Sequence, residues 1–496
     1  MKKQILIPML FALSMTAMTG CKKNSNSSMD IEDEGDIIRD EDGNVIFNDV
    51  ELTLWTVTTG DDANTQDEII NQFNTLYDGQ IKVNAEHISR YDLETNLVST
   101  MEFDRANGPD ILFNHGNRVT EYNDREWLYP IEKYYEKTNT PLDKDDYVDS
   151  LLAATTVNGL MYATPIDVHS AMMEVRMDIL EKNGLEVPTN YEELCALSKT
   201  VVEKARAGQF WIRGENSENK PATEWRLAST AEDYTVFPIA FGDMWVHEFV
   251  GYTAAVQNGA TLVASDGMPG WNNEGTIEGL QLLRNWMWPD EQSKNQYALS
   301  KSYGSDYDVG EAPFKAGTCL FKLQGPWTYA KDMSDFEILL HNDGGAANIT
   351  TRNISNMFAL DSSKDYAGKI KGEGHSLMLT RCVTSQTKAC AAAVFADYLS
   401  YYSGITWAKR GHIPAVKSVE RSSEFKEDPA YNQYVKYWGT PDDYVVVPPT
   451  KYYSYIDSYF KTCVQQSMSN TNRSTPVQTI VNQQYQDCLG YIELYA

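Results

Sequence analysis

From Val50 onward the apolar and polar positions alternate between strand and helix rhythm. Val50 to Val57 reads as a strand, and Asp67 to Tyr77 as a helix with Ile69, Ile70 and Phe73 on one face. Ile81 to Ile88 is a second strand, Tyr91 to Arg105 a second helix, and Asp110 to Phe113 a third strand. This series predicts a parallel sheet with helices on both faces, because parallel neighbours need a crossover that packs back onto the sheet. Later pieces repeat the alternation. They are Leu160 to Ala163, helices Tyr191 to Ala205 and Thr276 to Trp286, strands Thr318 to Leu323 and Ser376 to Thr380, and helix Gln386 to Tyr401. Tyr452 to Tyr495 reads as helices. At 496 residues, 42% of them hydrophobic, the chain is long enough for two or more domains with proper cores.

The stretch before Val50 has a different character. Lys2 and Lys3 precede an apolar run from Ile5 to Met18. That run is short of the about 20 residues a membrane span needs, so it reads as a cleaved leader. Met18-Thr19-Gly20-Cys21 resembles the bacterial lipobox, which implies lipidation of Cys21 and a position outside the cytoplasm. One acyl chain anchors marginally, and two or more anchor stably. The polar residues after Cys21 read as a spacer, followed by an acidic stretch to Asp42. A calcium loop around Asp40 fails because its first ligand position falls on Ile38. A hairpin turn at Asp42-Gly43 fits better. Net charge is −28, or −30 once Lys2 and Lys3 leave, which argues against nucleic acid or anionic lipid as partners. Beyond Cys21 the cysteines are Cys195, Cys319, Cys382, Cys390, Cys463 and Cys488, with no CxxC pair and no His at metal-ligand spacing from them. Cys382 with Cys390, and Cys463 with Cys488, are open as disulfides or as free buried thiols. Neither a cofactor nor a metal site is expected.

Several blocks then fall into register with a family. Leu52-Thr53-Leu54-Trp55 is followed by the polar Gly60-Asp61-Asp62, and Gly108-Pro109-Asp110-Ile111 opens the third strand. Asn158-Gly159-Leu160-Met161-Tyr162-Ala163-Thr164-Pro165-Ile166 leads to the expected first crossing. Val187-Pro188-Thr189-Asn190-Tyr191-Glu192-Glu193-Leu194 starts a helix, with Thr189 and Glu192 placed to cap it. Phe314-Lys315-Ala316-Gly317 leads to Gln324-Gly325-Pro326-Trp327, and Gly411-His412-Ile413-Pro414-Ala415 marks the last crossing. In this order the blocks resemble the extracellular solute-binding proteins of bacterial ABC sugar importers, in the branch that includes the maltose-binding protein. The resemblance implies an α/β, two-lobe periplasmic-binding-protein-like (type II) fold with three hinge crossings. It places one lobe at about 50–167 plus 374–412 and the other at 168–373 plus 413–496, after a leader at 1–20 and a linker at 21–49. It implies a monomer held to the membrane by its lipid anchor only, which binds a small molecule, a sugar by this resemblance, without catalysis. Its protein partners would be ABC permease subunits.

Sugars present hydroxyl edges and apolar faces, so aromatic platforms and carboxylates, amides or arginines are sought. The chain has 11 Trp and 30 Tyr, most of which serve as core or ordinary surface. Trp327 lies in the block that carries a stacking Trp in the relative. Glu232 and Tyr234 resemble its Glu-Pro-Tyr segment. Arg118 matches an Asp-Arg pair after the third strand, while Asn114 and Asn117 stand where the relative has Trp and Asp, a departure that weakens maltose itself as the ligand. His169 falls in the first crossing, where the relative uses Glu, and an imidazole can both donate and accept to hydroxyls. Asp61, Asp62, Trp245, Trp271, His375 and Tyr455 complete the candidates. Each competes with a structural role: a solvated loop for Asp61 and Asp62, a packed hinge for the histidines, core or rim for the aromatics.

Rival readings stay open on the sequence alone. A secreted glycosidase needs only two carboxylates at the right separation. No G-x-S-x-G, H-E-x-x-H or P-loop is present, and His247-Glu248 is followed by Phe249-Val250-Gly251, which breaks the zinc pattern. A surface lectin without a transporter is the second rival. Polyamines, peptides, and phosphorylated or acidic compounds are the rival ligands, the last only slightly disfavoured by the acidic surface.

Overall fold

The computed structural model describes residue 31 and residues 37–214, 223–228, 235–238, 246–301, 310–339, 348–408, 410–428, 432 and 435–495. Strand Val50–Thr56 pairs in parallel with Ile81–His87 on one side and Ile111–His115 on the other. His375–Thr380 then joins antiparallel to Ile111–His115, and also meets Leu128–Tyr129 and Ala163–Pro165. The expected parallel sheet is therefore mixed. The added strand enters from a distant part of the chain rather than through a local crossover, so nothing forces it to run parallel. Ile111–His115 and His375–Thr380 are buried at every position, as central strands covered on both faces must be.

The first helix runs Gly60–Leu76, seven residues ahead of its expected start. Its opening is polar because Asp61 and Asp62 in the first turn suit the positive end of the helix dipole. Gln66 is buried for a polar reason too, its Oε1 accepting from the hydroxyls of Thr56 and Thr58, each at 2.7 Å. Those polar positions hid the apolar period. The cap expected from Thr189 and Glu192 is shifted by one residue. Asn190 is the N-cap and accepts from Glu193 N–H at 3.0 Å, while Glu193 accepts from the Thr189 backbone and hydroxyl. The turn at Asp42-Gly43 forms, with Arg39 bridged to Val45 and Asp40 accepting from the Asp42 and Asn44 N–H groups.

Two apolar cores result. One gathers Leu52, Leu54, Phe73, Leu93, Phe113, Leu377, Phe395 and Trp407. The other gathers Val175, Leu194, Trp271, Trp286, Phe321, Phe358, Ile370, Tyr453 and Phe460. Helix Asp149–Thr155, expected wholly in the first lobe, gives Leu151 and Ala154 to the second core. Within the second core, Met172–Arg176 is flanked antiparallel by Phe321–Gln324 and Ile349–Arg352. The closing helices Tyr453–Ser467 and Val477–Tyr495 belong to it as well. Cys195, Cys319, Cys382, Cys390, Cys463 and Cys488 are buried free thiols. No described helix is long and apolar enough to cross a membrane.

Among the described residues, three extended segments run between the cores. Asp167–Val168 pairs antiparallel with Ile413–Pro414, and His169 exchanges backbone hydrogen bonds with Glu373 at 2.8 and 3.0 Å. Gly374 makes the approach possible, since a Cβ there would sit 2.3 Å from the Asp167 carbonyl oxygen.

Candidate functional site

The crossing strands carry chemistry at alternate positions, which in extended backbone share a face. Asp167 and His169 lie on the first, Glu373 and His375 on the second, and His412 at the head of the third. Around the buried Asp167 carboxylate, His375 Nδ1 lies 2.8 Å from Oδ2 and His169 Nδ1 3.1 Å from Oδ1. His412 Nδ1 stands 3.3 Å from Oδ2, and the Trp407 indole N–H donates to the same oxygen. His375 also donates its backbone N–H to Oδ1 at 3.0 Å. Burial opposes the Asp167 charge, but His375, His412 and the hydrogen bonds from His169 and His375 outweigh it and hold the carboxyl well below its usual range. Burial pushes His169 down to about 4 and His115 well below the ordinary imidazole value. For His412 burial acts the same way, but Asp167 and Asp62 prevail and raise it.

A second set of charges lies beside the first, around Glu373 and Glu248. Glu373 accepts from Asn117 Nδ2 at 2.9 Å and from the Tyr453 hydroxyl at 3.1 Å, with Lys371 Nζ at 2.9 Å and His115 Nε2 at 3.4 Å. Glu248, on the π-helical turn Val246–Gly251, is gripped by Arg90 through two nitrogens at 2.9 and 3.2 Å, and by Lys461 at 2.9 Å. Buried charges are tolerated only when paired in this way. Arg90 opens helix Arg90–Phe103, whose Leu93, Leu97 and Met101 belong to the first core, whereas Glu248 and Lys461 sit on elements of the second. A second polar bridge joins the two sides: Arg118 and Glu121 both bond Ser454, and the Arg118 guanidinium lies 4.9 Å from the Tyr453 ring centre.

The profile of a family described as bacterial extracellular solute-binding protein matches residues 68–433, well over half of the chain. The chain belongs to that family. Solved structures agree on the fold. The sugar-binding protein MalE from Xanthomonas citri is 15% identical and superposes with a TM-score of 0.65, covering 90% of this chain and 99% of its own. The GacH receptor of Streptomyces glaucescens, solved unliganded and with acarbose, is 15% identical with a TM-score of 0.64, covering 89% and 98%. An ABC substrate-binding protein from Listeria monocytogenes in complex with cycloalternan is 16% identical with a TM-score of 0.62, covering 90% and 99%. At such identities the likeness establishes the two-lobe α/β architecture and leaves the ligand open.

Within this solute-binding protein the expected site residues fall in different places. Asp61 is exposed, while Asp62 is partly buried with Oδ2 3.4 Å from His412 Nε2. Asn114 is buried and donates to Glu94 and the Tyr122 hydroxyl, both at 3.2 Å. Asn117, Arg118, His169 and His375 come together at the crossings and the adjoining polar bridges. Tyr455 is partly buried against the Tyr491 ring, 5.1 Å between centres. Trp271 is corrected: it is fully buried between Phe460 and Tyr485, both edge-on at 5.6 and 5.5 Å, so it offers no face to a ligand. Trp327 follows strand Phe321–Gln324 in the short turn Pro326–Thr328. Glu232, Tyr234, Trp245 and Cys21 lie outside the described residues.

Asp167, Glu373, His412, His115, Arg90 and Glu248 are not among the site residues expected from the sequence, although His412 stands in the last crossing block and Glu248 in the failed zinc pattern. One signal was available for the first two. Asp167-Val168-His169 and Glu373-Gly374-His375 are both acid-x-His, and both fall at expected crossings. Nothing local marks Arg90 or Glu248, whose pairing spans 158 positions.

Proposed function

We propose that this chain is a lipid-anchored receptor that captures a carbohydrate, an oligosaccharide, outside the cell and delivers it unaltered to an ABC importer. The observation that carries the reading is the polar meeting of the two cores. They face each other through Arg90–Glu248 and Arg118–Ser454, contacts that can separate in water far more cheaply than an apolar interface. The two lobes would be about 50–167 plus 374–412 and 168–373 plus 413–496, pivoting on the crossings and closing on the ligand. Asn117, Arg118 and the charged groups around Glu373 would serve sugar hydroxyls, with Trp327 and Tyr455 as platforms for the apolar faces. The sugars named with the similar structures support this ligand class. Acyl chains on Cys21 would hold the monomeric receptor at the outer face of the cytoplasmic membrane, beside its permease.

A thermal-shift screen of neutral mono- and oligosaccharides against the mature chain is expected to raise its melting temperature, because a ligand that binds only the native state stabilises it. Trp327→Ala should abolish that shift and leave the ligand-free melting point nearly unchanged. A shift with cationic or peptide ligands alone defeats the sugar assignment. Chromatography of the recovered sugar separates receptor from enzyme, since a receptor returns it intact.

A further inference from the structure

Three imidazoles converge on one carboxylate at the crossings. We propose that Asp167, His169, His375 and His412 form a binding site for a single divalent transition-metal ion of the zinc class.

Their donor atoms all lie within 4.8 Å of one another. From the Asp167 carboxylate the three Nδ1 atoms stand at 2.8, 3.1 and 3.3 Å. Ligands bonded at 2.0–2.1 Å in a tetrahedron are about 3.3 Å apart, the range of these three distances, and metal binding would require the imidazoles, two of which stack at 4.6 Å, to turn toward a common centre. Three imidazoles with one carboxylate suit zinc or a neighbour in the first transition row; calcium and magnesium prefer oxygen alone. Asp167 and His412 are 0% exposed, His169 3% and His375 6%.

His412 supplies an independent observation. It is completely buried, and its two ring nitrogens face carboxylates at 3.3 Å (Asp167) and 3.4 Å (Asp62) without forming a well-aligned hydrogen bond to either. Those contacts are longer than a good charge-assisted hydrogen bond, and a metal bond through Nδ1 would hold the imidazole more closely. Asp62 Oδ2, 3.4 Å from Nε2, then stands where an outer carboxylate orients a metal-bound histidine. Neighbouring rings fix the planes as well. Trp407 stacks on His412 at 4.4 Å and Phe113 on His375 at 5.0 Å.

Charge distinguishes this set from its neighbour. Among the described residues the ionic partners of Asp167 are histidines. His115, His169 and Glu373 also converge, but Glu373 is held by Lys371 at 2.9 Å and Arg90 at 3.8 Å, cations that repel a metal ion. The chosen ligands come from all three crossings. A bound ion would tie the pivot strands together without spanning the polar bridges that must open.

The test uses the full mature chain, stripped with a chelator and titrated with zinc chloride by calorimetry. One zinc per chain is expected, with cobalt(II) giving the visible absorption of a tetrahedral nitrogen and oxygen site. His412→Gln and His375→Gln should each weaken zinc binding by more than about a hundredfold, beyond what loss of an outer partner does. His87→Gln should retain it, since His87 sits apart, bonded to Thr58 and Asp67. Absence of stoichiometric zinc overturns the proposal. So does zinc binding that survives His412→Gln, or that is lost with His115→Gln while His412→Gln keeps it. If the variants do not fold, X-ray absorption at the zinc edge of the wild-type protein decides: imidazole scattering with an oxygen supports the site, and a shell of oxygen alone overturns it.

Discussion

Asp397 ends helix Gln386–Asp397 within reach of Tyr77, Tyr135, Tyr147 and Tyr401, and burial lifts its carboxyl from 3.8 to about 6. Between those values the folded protein holds a proton that the unfolded chain has released. Stability therefore falls as pH rises through that window, and the cost remains above it. Asp397→Asn should raise the unfolding free energy near neutral pH by about 1 kcal/mol, the full linkage value being discounted for partial solvent access, and change little at about pH 4. Urea melts at the two pH values check this; an equal effect at both would assign the gain to packing instead. At this scale the sequence showed residue type better than residue fate. On the sequence Trp271 is a ligand candidate, with a rim position as the alternative, because Pro269-Gly270-Trp271-Asn272 reads as a loop, but the contacts that bury it come from Phe460 and Tyr485, roughly two hundred positions on. His169 and His375 were legible as hinge residues. Their convergence on Asp167 was not, since the second and third crossings lie far along the chain from the first.

Elements whose apolar period matched their burial were legible close to their observed bounds, among them Val50–Thr56, Ile81–His87, Arg90–Phe103 and Tyr191–Arg206. Those with polar burial were not. Helix Gly60–Leu76 hides its first turns behind Thr65 and Gln66, and the direction of His375–Thr380 depends on a partner strand more than 250 positions away. The crossings are the extreme case. They are two-residue pairings with no period to read, held by backbone bonds to one another and by a glycine that lets them touch. Gly374→Ala should thus destabilise the protein by about 1–3 kcal/mol, the usual cost of forcing atoms into a packed region. Its Cβ would meet the Asp167 carbonyl oxygen and the Leu151 side chain at 2.3 and 2.7 Å. Denaturant unfolding of the variant measures this, and a loss below about 0.5 kcal/mol would mean that the crossings yield more readily than their spacing implies.

For the whole molecule, if the lobes open and close as proposed, the balance between the two forms would rest on a few ion pairs between two separate cores. Glu248 is the central case. It is buried among Arg90, Lys371 and Lys461, and those cations overcome the burial that would otherwise neutralise it. Lys371 and Lys461 approach it from the side of the second core, and among the described residues Arg90 is its cation from the first. Arg90→Ala should therefore leave the carboxylate paired and both cores intact while removing the bidentate bridge between them. A charge-assisted pair of this kind contributes about 1.5–3 kcal/mol net, and each 1.4 kcal/mol changes a two-state ratio about tenfold. Small-angle scattering of ligand-free Arg90→Ala should then give a larger radius of gyration than the wild type, with an unchanged circular dichroism spectrum. A saturating ligand should bring the two radii back together, because ligand contacts replace the missing bridge. Identical ligand-free radii would mean that Arg118, Glu121 and Ser454 hold the lobes closed on their own, and Ser454→Ala in the Arg90→Ala background would then be the variant that opens.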